Sequence, residues 1–148
     1  STFTKYYKAP EKTAEALDSD GWFHSGDLIS IDTDGQLMFH GRLRDMLKVG
    51  GENVAAVEIE SCLQQHPAVK LAQVVGIPHP RLIEVPAAFI ELEAGSNATE
   101  EELIGFCKGK IAGFKVPRHV RFVSQWPTSS TKIQKFRLQE QIRTELGL

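Results

Sequence analysis

GRLRDMLKVGGENVAAVEIE, from Gly41 to Glu60, is the stretch of this chain that decides its fold. Met46 to Val49 has strand character and runs into Gly50-Gly51, and a helix is expected from about Val54 to Gln65. Val54, Val57, Ile59, Cys62 and Leu63 give that helix a rough apolar stripe, and Pro67 stops it. Immediately upstream, LISI (Leu28 to Ile31) and QLMFHG (Gln36 to Gly41) flank DTDG, whose Gly35 suits a tight turn, so a β-hairpin is expected there. Before it lies a short helix opening near Pro10, where a missing N–H is harmless, and running to about Leu17.

Downstream, Val69 to Ile77 and Pro86 to Leu92 read as strands separated by a loop containing Pro and His. A helix is expected over Thr99 to Ile111, with Leu103, Cys107 and Ile111 four residues apart and Thr99/Glu102 as a capping box. Val120 to Val123 reads as a strand, Trp126 to Thr131 as loop, and Phe136 to Leu146 as a closing helix with Leu138, Ile142 and Leu146 on one face. The sum is an α+β chain: a small mixed or antiparallel sheet flanked by helices, preceded by a β-hairpin strip. The boundary between the two falls near Gly41 to Asp45, giving segments 1–41 and 42–148.

Composition excludes several classes of function. With 148 residues the chain is large enough for an ordinary core. A net charge of −2 argues against a general nucleic-acid binder, which needs a basic surplus to offset phosphate. No apolar run approaches the ~18 residues of a membrane-spanning helix. Cys62 and Cys107 lack zinc-type or CxxC spacing, which points to core thiols and a cytoplasmic setting. His24, His40, His66, His79 and His119 show no ligand spacing, so no metal site is assigned.

Three segments could carry chemistry. In FHSGDL, Phe23 to Leu28, Gly26 lets the backbone come close to a ligand and Asp27 could accept from a hydroxyl pair; a simple turn cap explains the same residues. In GRLRDMLKVGGENV, Arg42, Arg44 and Lys48 surround Asp45, and Gly50-Gly51 leads to a helix start with free N–H groups. A tight turn with solvated charges fits that segment equally well. In PTSSTKIQKFRL, Lys132 ends a hydroxyl-rich loop and could reach an anionic substrate as a mobile charge, or be one more polar loop residue.

Together and in this order, these segments resemble the carboxyl-terminal part of adenylate-forming enzymes, the superfamily of acyl-CoA synthetases, peptide-synthetase adenylation domains and luciferases. YYKAPEKTAEALDSDGWFHSGDL resembles the stretch closing the large amino-terminal domain of acyl-CoA synthetases, and GRLRDMLKVGGENVAAVEIE the join between the large and small domains. FCKGKIAGFKVPRHVRFV and WPTSSTKIQKFRLQEQI resemble the rest of the mobile small domain.

The resemblance implies a ligase that converts a carboxylic or fatty acid with ATP to acyl-AMP and then, with CoA, to the thioester. It implies that Asp27 binds the ribose hydroxyls, that Arg42 assists at ribose and phosphates, and that Arg44 is the hinge. Lys132 would be the catalytic lysine of adenylation. Gly50 and Gly51 would line the CoA tunnel. The basic residues Lys115, Arg118 and Arg121, near the mouth of such a tunnel, could meet CoA phosphates, and a solvated basic rim explains each of them equally well. Mg²⁺ would accompany ATP, bound mainly by the large domain, which is the implied partner of this segment.

The phosphate loop, adenine pocket and acyl pocket of the family have no counterpart here. They are expected upstream of Ser1, so the chain is expected to be a piece of a longer enzyme and inactive alone. Three departures stand out. Arg44 occupies a position that is usually Asp or Lys, and Thr131 stands where Gly usually precedes the lysine, in a loop one residue shorter. His79 and Ile83-Glu84 replace an acid followed by Gly-Glu. Two further readings stay open: an adenylation domain that loads a carrier protein, and a non-catalytic interaction module.

Overall fold

The computed structural model describes residues 3–130 and 132–148. The chain divides into two compact units, Ser1–Arg44 and Asp45–Leu148.

In the first unit, helix α1 (Pro10–Ala16) opens on a proline and buries no residue. Strands β1 (Asp27–Ile31) and β2 (Leu37–Arg42) form an antiparallel hairpin. Its turn is held by the Asp32 carboxylate, which accepts the Asp34 and Gln36 N–H groups at 2.9 and 2.8 Å, while Gly35 supplies a φ of +79°.

The second unit is built on a five-stranded sheet. Strand β3 (Met46–Val49) turns through Gly50-Gly51 into β4 (Glu52–Ala55), with Leu47 opposite Val54. Helix α2 (Ala56–Leu63) therefore begins later than the apolar stripe suggests. Val54 belongs to the strand pair, because cross-strand packing on Leu47 competes for the same apolar side chain.

Strands β5 (Val69–His79) and β6 (Ile83–Leu92) are longer than expected and pair antiparallel along their length, which reduces the loop between them to Pro80–Leu82. On the other edge of β6, β3 meets Ile83 and β7 (His119–Phe122) pairs in parallel with Ala87–Ile90.

Val85 through Ile90 are all buried, the pattern of a strand covered on both faces. Ala88 and Ile90 join a cluster with Ile59 and Leu63 of α2 and Leu103 of α3 (Glu100–Cys107). Ala87 and Phe89 alternate onto the opposite face, against Leu138 and Ile142 of α4 (Lys135–Leu146). The expected capping box is present: Thr99 Oγ1 accepts the Glu102 N–H, and Glu102 accepts in return from the Thr99 N–H. Helix α3 stops at Cys107, short of Ile111, because Lys108 is extended and Gly109 has a φ of +81°.

Cys62 and Cys107 are buried free thiols with sulfurs 4.0 Å apart. Burial, with Cys62 alongside, pushes the Cys107 thiol up to about 12. The expected loop after Trp126 contains a further small hairpin, β8 (Thr128–Ser129) paired with β9 (Lys132–Ile133). No helix among the described residues is long and apolar enough to cross a membrane.

Candidate functional site

Asp27 and Arg42, fifteen positions apart in sequence, face each other because the hairpin is irregular. Ile31, Ser30 and Ile29 pair with Leu37, Met38 and Phe39 in a regular ladder that would place Asp27 opposite Gly41. A bulge between Leu28 and Ile29 takes up His40 and advances the register, so Leu28 meets Gly41 and Asp27 meets Arg42. Gly41, buried at a φ of +129°, adopts a backbone conformation that a side chain would strain. The adjoining Gly26 carbonyl accepts the Leu43 N–H at 2.8 Å and ties the two strand ends together.

Arg42 Nε lies 3.2 Å from Asp27 Oδ1, with the Asp27 side chain 27% exposed and that of Arg42 45% exposed. That oxygen is buried and makes no aligned hydrogen bond, so the contact is an ion pair whose acceptor retains capacity for an O–H donor. At this exposure the pair contributes about 0–1 kcal/mol to stability. A carboxylate and a guanidinium side by side suit a ligand that offers hydroxyls and phosphate oxygens together. Arg44, exposed in the 3₁₀ turn Leu43–Asp45, is the last residue of the first unit.

In the second unit, Gly50 and Gly51 form a two-residue hairpin turn with φ of +61° and +93°. They do not open a helix, as their sequence context suggests, because β4 intervenes before α2. The Gly50 N–H donates to the Leu82 carbonyl at 2.8 Å, and a Cβ on Gly50 would lie 3.3 Å from Leu82 Cδ2. The same carbonyl accepts the Glu84 N–H at 2.7 Å, closing a γ-turn centred on Ile83. Ile83 has a φ of +68°, a strained value for a β-branched residue. The Glu84 carboxylate accepts the Lys48 N–H at 2.8 Å, so the β5–β6 turn braces the glycine turn from both sides.

Lys132 stands on β9 opposite Ser129, not in open loop, and is exposed. Its ammonium has no hydrogen-bond or ion-pair partner among the described residues. Thr131, in the position before it, lies outside the described residues. Lys115 is already engaged, with Nζ 2.7 and 2.8 Å from the two carboxylate oxygens of Glu58. Arg118 is exposed, its backbone N–H donating to the Pro86 carbonyl at 2.9 Å. No hydrogen bond or ion pair among the described residues joins Lys132 to Gly50, Gly51, Lys115 or Arg118.

Two features escape sequence reading. Glu60, a buried carboxylate in the middle of α2, takes the Lys135 ammonium at 2.6 Å. The available signal was its spacing: with Ala56, Ile59 and Leu63 it completes the buried face of a helix, where a charge requires a partner. The second is the strain at Ile83, signalled by a β-branched residue where the resemblance calls for Gly. A cavity of about 790 Å³ lies in the first unit, lined by Tyr6, Pro10, Thr13, Leu17 and their neighbours. None of the candidate residues lines it. Among the described residues no group of three or more His, Cys, Asp or Glu is placed to hold a metal ion.

Known proteins share this sequence and shape. Acyl-CoA synthetase-related YngI of Bacillus subtilis is 48% identical over 136 residues, covering 91% of this chain and 25% of its own length. The medium-chain acyl-CoA ligase ACSF2, mitochondrial, of Rattus norvegicus is 45% identical over 144 residues, covering 97% of this chain and 23% of its own. The crystal structure of ATP-bound MatB from Rhodopseudomonas palustris superposes with a TM-score of 0.87 at 34% identity, over 95% of this chain and 28% of MatB. The chain thus spans about a quarter of the length of the curated relatives it matches. Residues 58–132, from α2 to the candidate lysine, match the AMP-binding enzyme C-terminal domain, and the chain belongs to that family.

Proposed function

We propose that this chain is the carboxyl-terminal part of an AMP-forming acyl-CoA synthetase that activates a carboxylic or fatty acid. Residues 1–41 are the closing strip of a large amino-terminal domain, and 42–148 are the mobile small domain with Arg44 at the pivot. Three observations support this division. The relatives are about four times longer, the chain divides into its two compact units directly after Arg44, and the first unit leaves its large apolar side chains exposed.

The observation that carries the reading is Lys132, an exposed ammonium without a partner among the described residues, on a short hairpin at the end of the family match. In the first step the acid's carboxylate attacks the α-phosphate of ATP, forming the acyl–phosphate bond and releasing pyrophosphate. Lys132 stabilises the negative charge shared by the attacking carboxylate and the phosphate oxygens, a contribution of about 3–4 kcal/mol for one well-placed donor. Asp27 accepts from the ribose hydroxyls, and Arg42 meets ribose and phosphate from the opposite strand. Mg²⁺ comes with the triphosphate and neutralises part of its charge.

In the second step the small domain turns about Arg44. The CoA sulfur attacks the acyl carbonyl, the C–O bond to AMP breaks, and the thiol proton leaves to solvent. Gly50 and Gly51, without side chains, leave room for the pantetheine arm. Arg118 meets the CoA phosphates, joined by Lys115 once it exchanges Glu58 for the ligand. On this reading the chain alone is inactive, because the acyl pocket belongs to the large amino-terminal domain. Its setting is a reducing one, the cytoplasm, in keeping with two unlinked thiols.

The test is Lys132→Ala in the full-length enzyme. ATP–pyrophosphate exchange is expected to fall about 10²–10³-fold. Thioester formation from supplied acyl-AMP and CoA should be retained. Equal loss of both half-reactions overturns the role given to Lys132.

A further inference from the structure

We infer that Glu60 and Lys135 are positioning residues that hold the Lys132 hairpin in place for adenylation; the inference rests on the role proposed for Lys132. Glu60 Oε1 accepts the Val74 N–H of β5 at 2.8 Å and the Lys135 ammonium at 2.6 Å. One carboxylate therefore ties α2, the sheet and the first turn of α4. The Glu60 side chain is 11% exposed and that of Lys135 24% exposed, so the pair is shielded and poorly screened by salt.

Its location is costly on other grounds. Lys135 is the first residue of α4, where the positive end of the helix repels an ammonium. Gln134, the N-cap, makes no side-chain capping bond, and its buried Oε1 finds no partner among the described residues. The Val74 N–H needs only an acceptor, and a shielded ion pair is often no more stable than uncharged groups of similar volume, so stability alone does not account for the charges.

What the pair supplies is position. Lys132 precedes Lys135 by three residues, a reach of at most about 11 Å along the backbone. Strand β9 has only two residues, a weak hold by itself. The segment is fastened behind Lys132 by Ile133 against the core, by the Gln134 N–H to the Pro127 carbonyl at 2.7 Å, and by Lys135 on Glu60. Only the last is directional and charged. Releasing it frees the start of α4 and with it the hairpin that aims Lys132.

The experiment compares Lys135→Met, Lys135→Arg and the double variant Glu60→Gln/Lys135→Met, which keeps an acceptor for the Val74 N–H, with Lys132→Ala, all in the full-length enzyme. ATP–pyrophosphate exchange is measured beside thioester formation from supplied acyl-AMP. Lys135→Met is expected to slow exchange about 10–100-fold, the effect of a displacement near 1 Å at a reacting group. Thioester formation should change less than about twofold, because Lys132 is withdrawn in that step. Lys135→Arg should restore exchange. The double variant leaves no buried charge unpaired and so folds even where Lys135→Met does not; it should still be slow in exchange.

Proportional loss of both half-reactions, or wild-type exchange in the folded double variant, overturns the inference and shows the pair to be a fold element only. Lys132→Ala separates the two claims. If it leaves exchange intact, the role of Lys132 fails; if it abolishes exchange while the double variant does not, the inference alone fails.

Discussion

The two units of this chain contain apolar residues in comparable variety and use them in opposite ways. In the second unit, Phe89, Ile59, Leu63, Leu138 and Ile142 are fully buried on the two faces of one sheet. In the first unit, Gly41 is the one buried residue among those described, while Tyr7, Trp22, Leu37 and Ile31 are 86, 73, 67 and 66% exposed. A two-stranded hairpin has no second layer to cover its faces and is marginal alone. Exposed apolar groups on this scale mark a surface that is normally covered by something else. The difference teaches that hydrophobic content does not make a core. A core needs a second layer packed on the sheet, and here α2 and α3 supply one on one face of β6 and α4 another on the opposite face.

The contrast can be broken by mutation, most sharply in the middle of β6. Phe89→Ala should destabilise the second unit by about 3–5 kcal/mol, as expected when an aromatic side chain is removed from a closed core. Urea unfolding followed by far-UV circular dichroism reads it. A loss under about 1 kcal/mol would mean that the site collapses around the gap and is less tightly packed than its burial implies.

A smaller change of opposite sign is expected at the braced turn. Ile83→Gly removes a β-branched side chain from a positive φ, a relief of about 1–2 kcal/mol. The extra freedom of glycine in the unfolded chain offsets about 0.5–1 kcal/mol of that. The midpoint of unfolding should therefore rise slightly. A fall would show that Ile83 makes a packing contact worth more than its strain.

The smallest effect belongs to the hairpin. Phe39→Ala, at a side chain that is 59% exposed, should shift the same unfolding curve by no more than about 0.5 kcal/mol. A cost near that of Phe89→Ala would erase the distinction between the units. Repeating the Phe39 substitution in the full-length enzyme sharpens it, because a covering domain would turn an idle side chain into a buried one.

Much of this architecture is legible in the sequence because its signals are local. The Asp32–Gly35 turn, the Thr99/Glu102 capping box, the proline at the start of α1 and the spacing of Leu138 and Ile142 depend on neighbours within a few residues. Each defines an element by hydrogen bonds or periodicity that the segment carries with it. The candidate residues Asp27, Arg42, Gly50, Gly51 and Lys132 were recognisable as residue types suited to their chemistry, and the ordered resemblance of the three segments to one family made them specific.

Only the tertiary structure decided the rest, because it depends on pairing between distant segments. Val54 fits a helix stripe as well as a strand, and its pairing with Leu47 across the glycine turn chose the strand. Asp27 meets Arg42 through a one-residue shift at a bulge, which composition does not reveal. Lys115 is held by Glu58, fifty-seven positions away, and Glu60 by Lys135, seventy-five positions away. Sequence alone determined most of the elements and their order, but not β4 or the β8–β9 pair, since local torsional and hydrophobic preferences specify the longer elements and not these short ones. Which side chains meet was settled by register and by the layers closing over β6, where non-local burial outweighs any local preference.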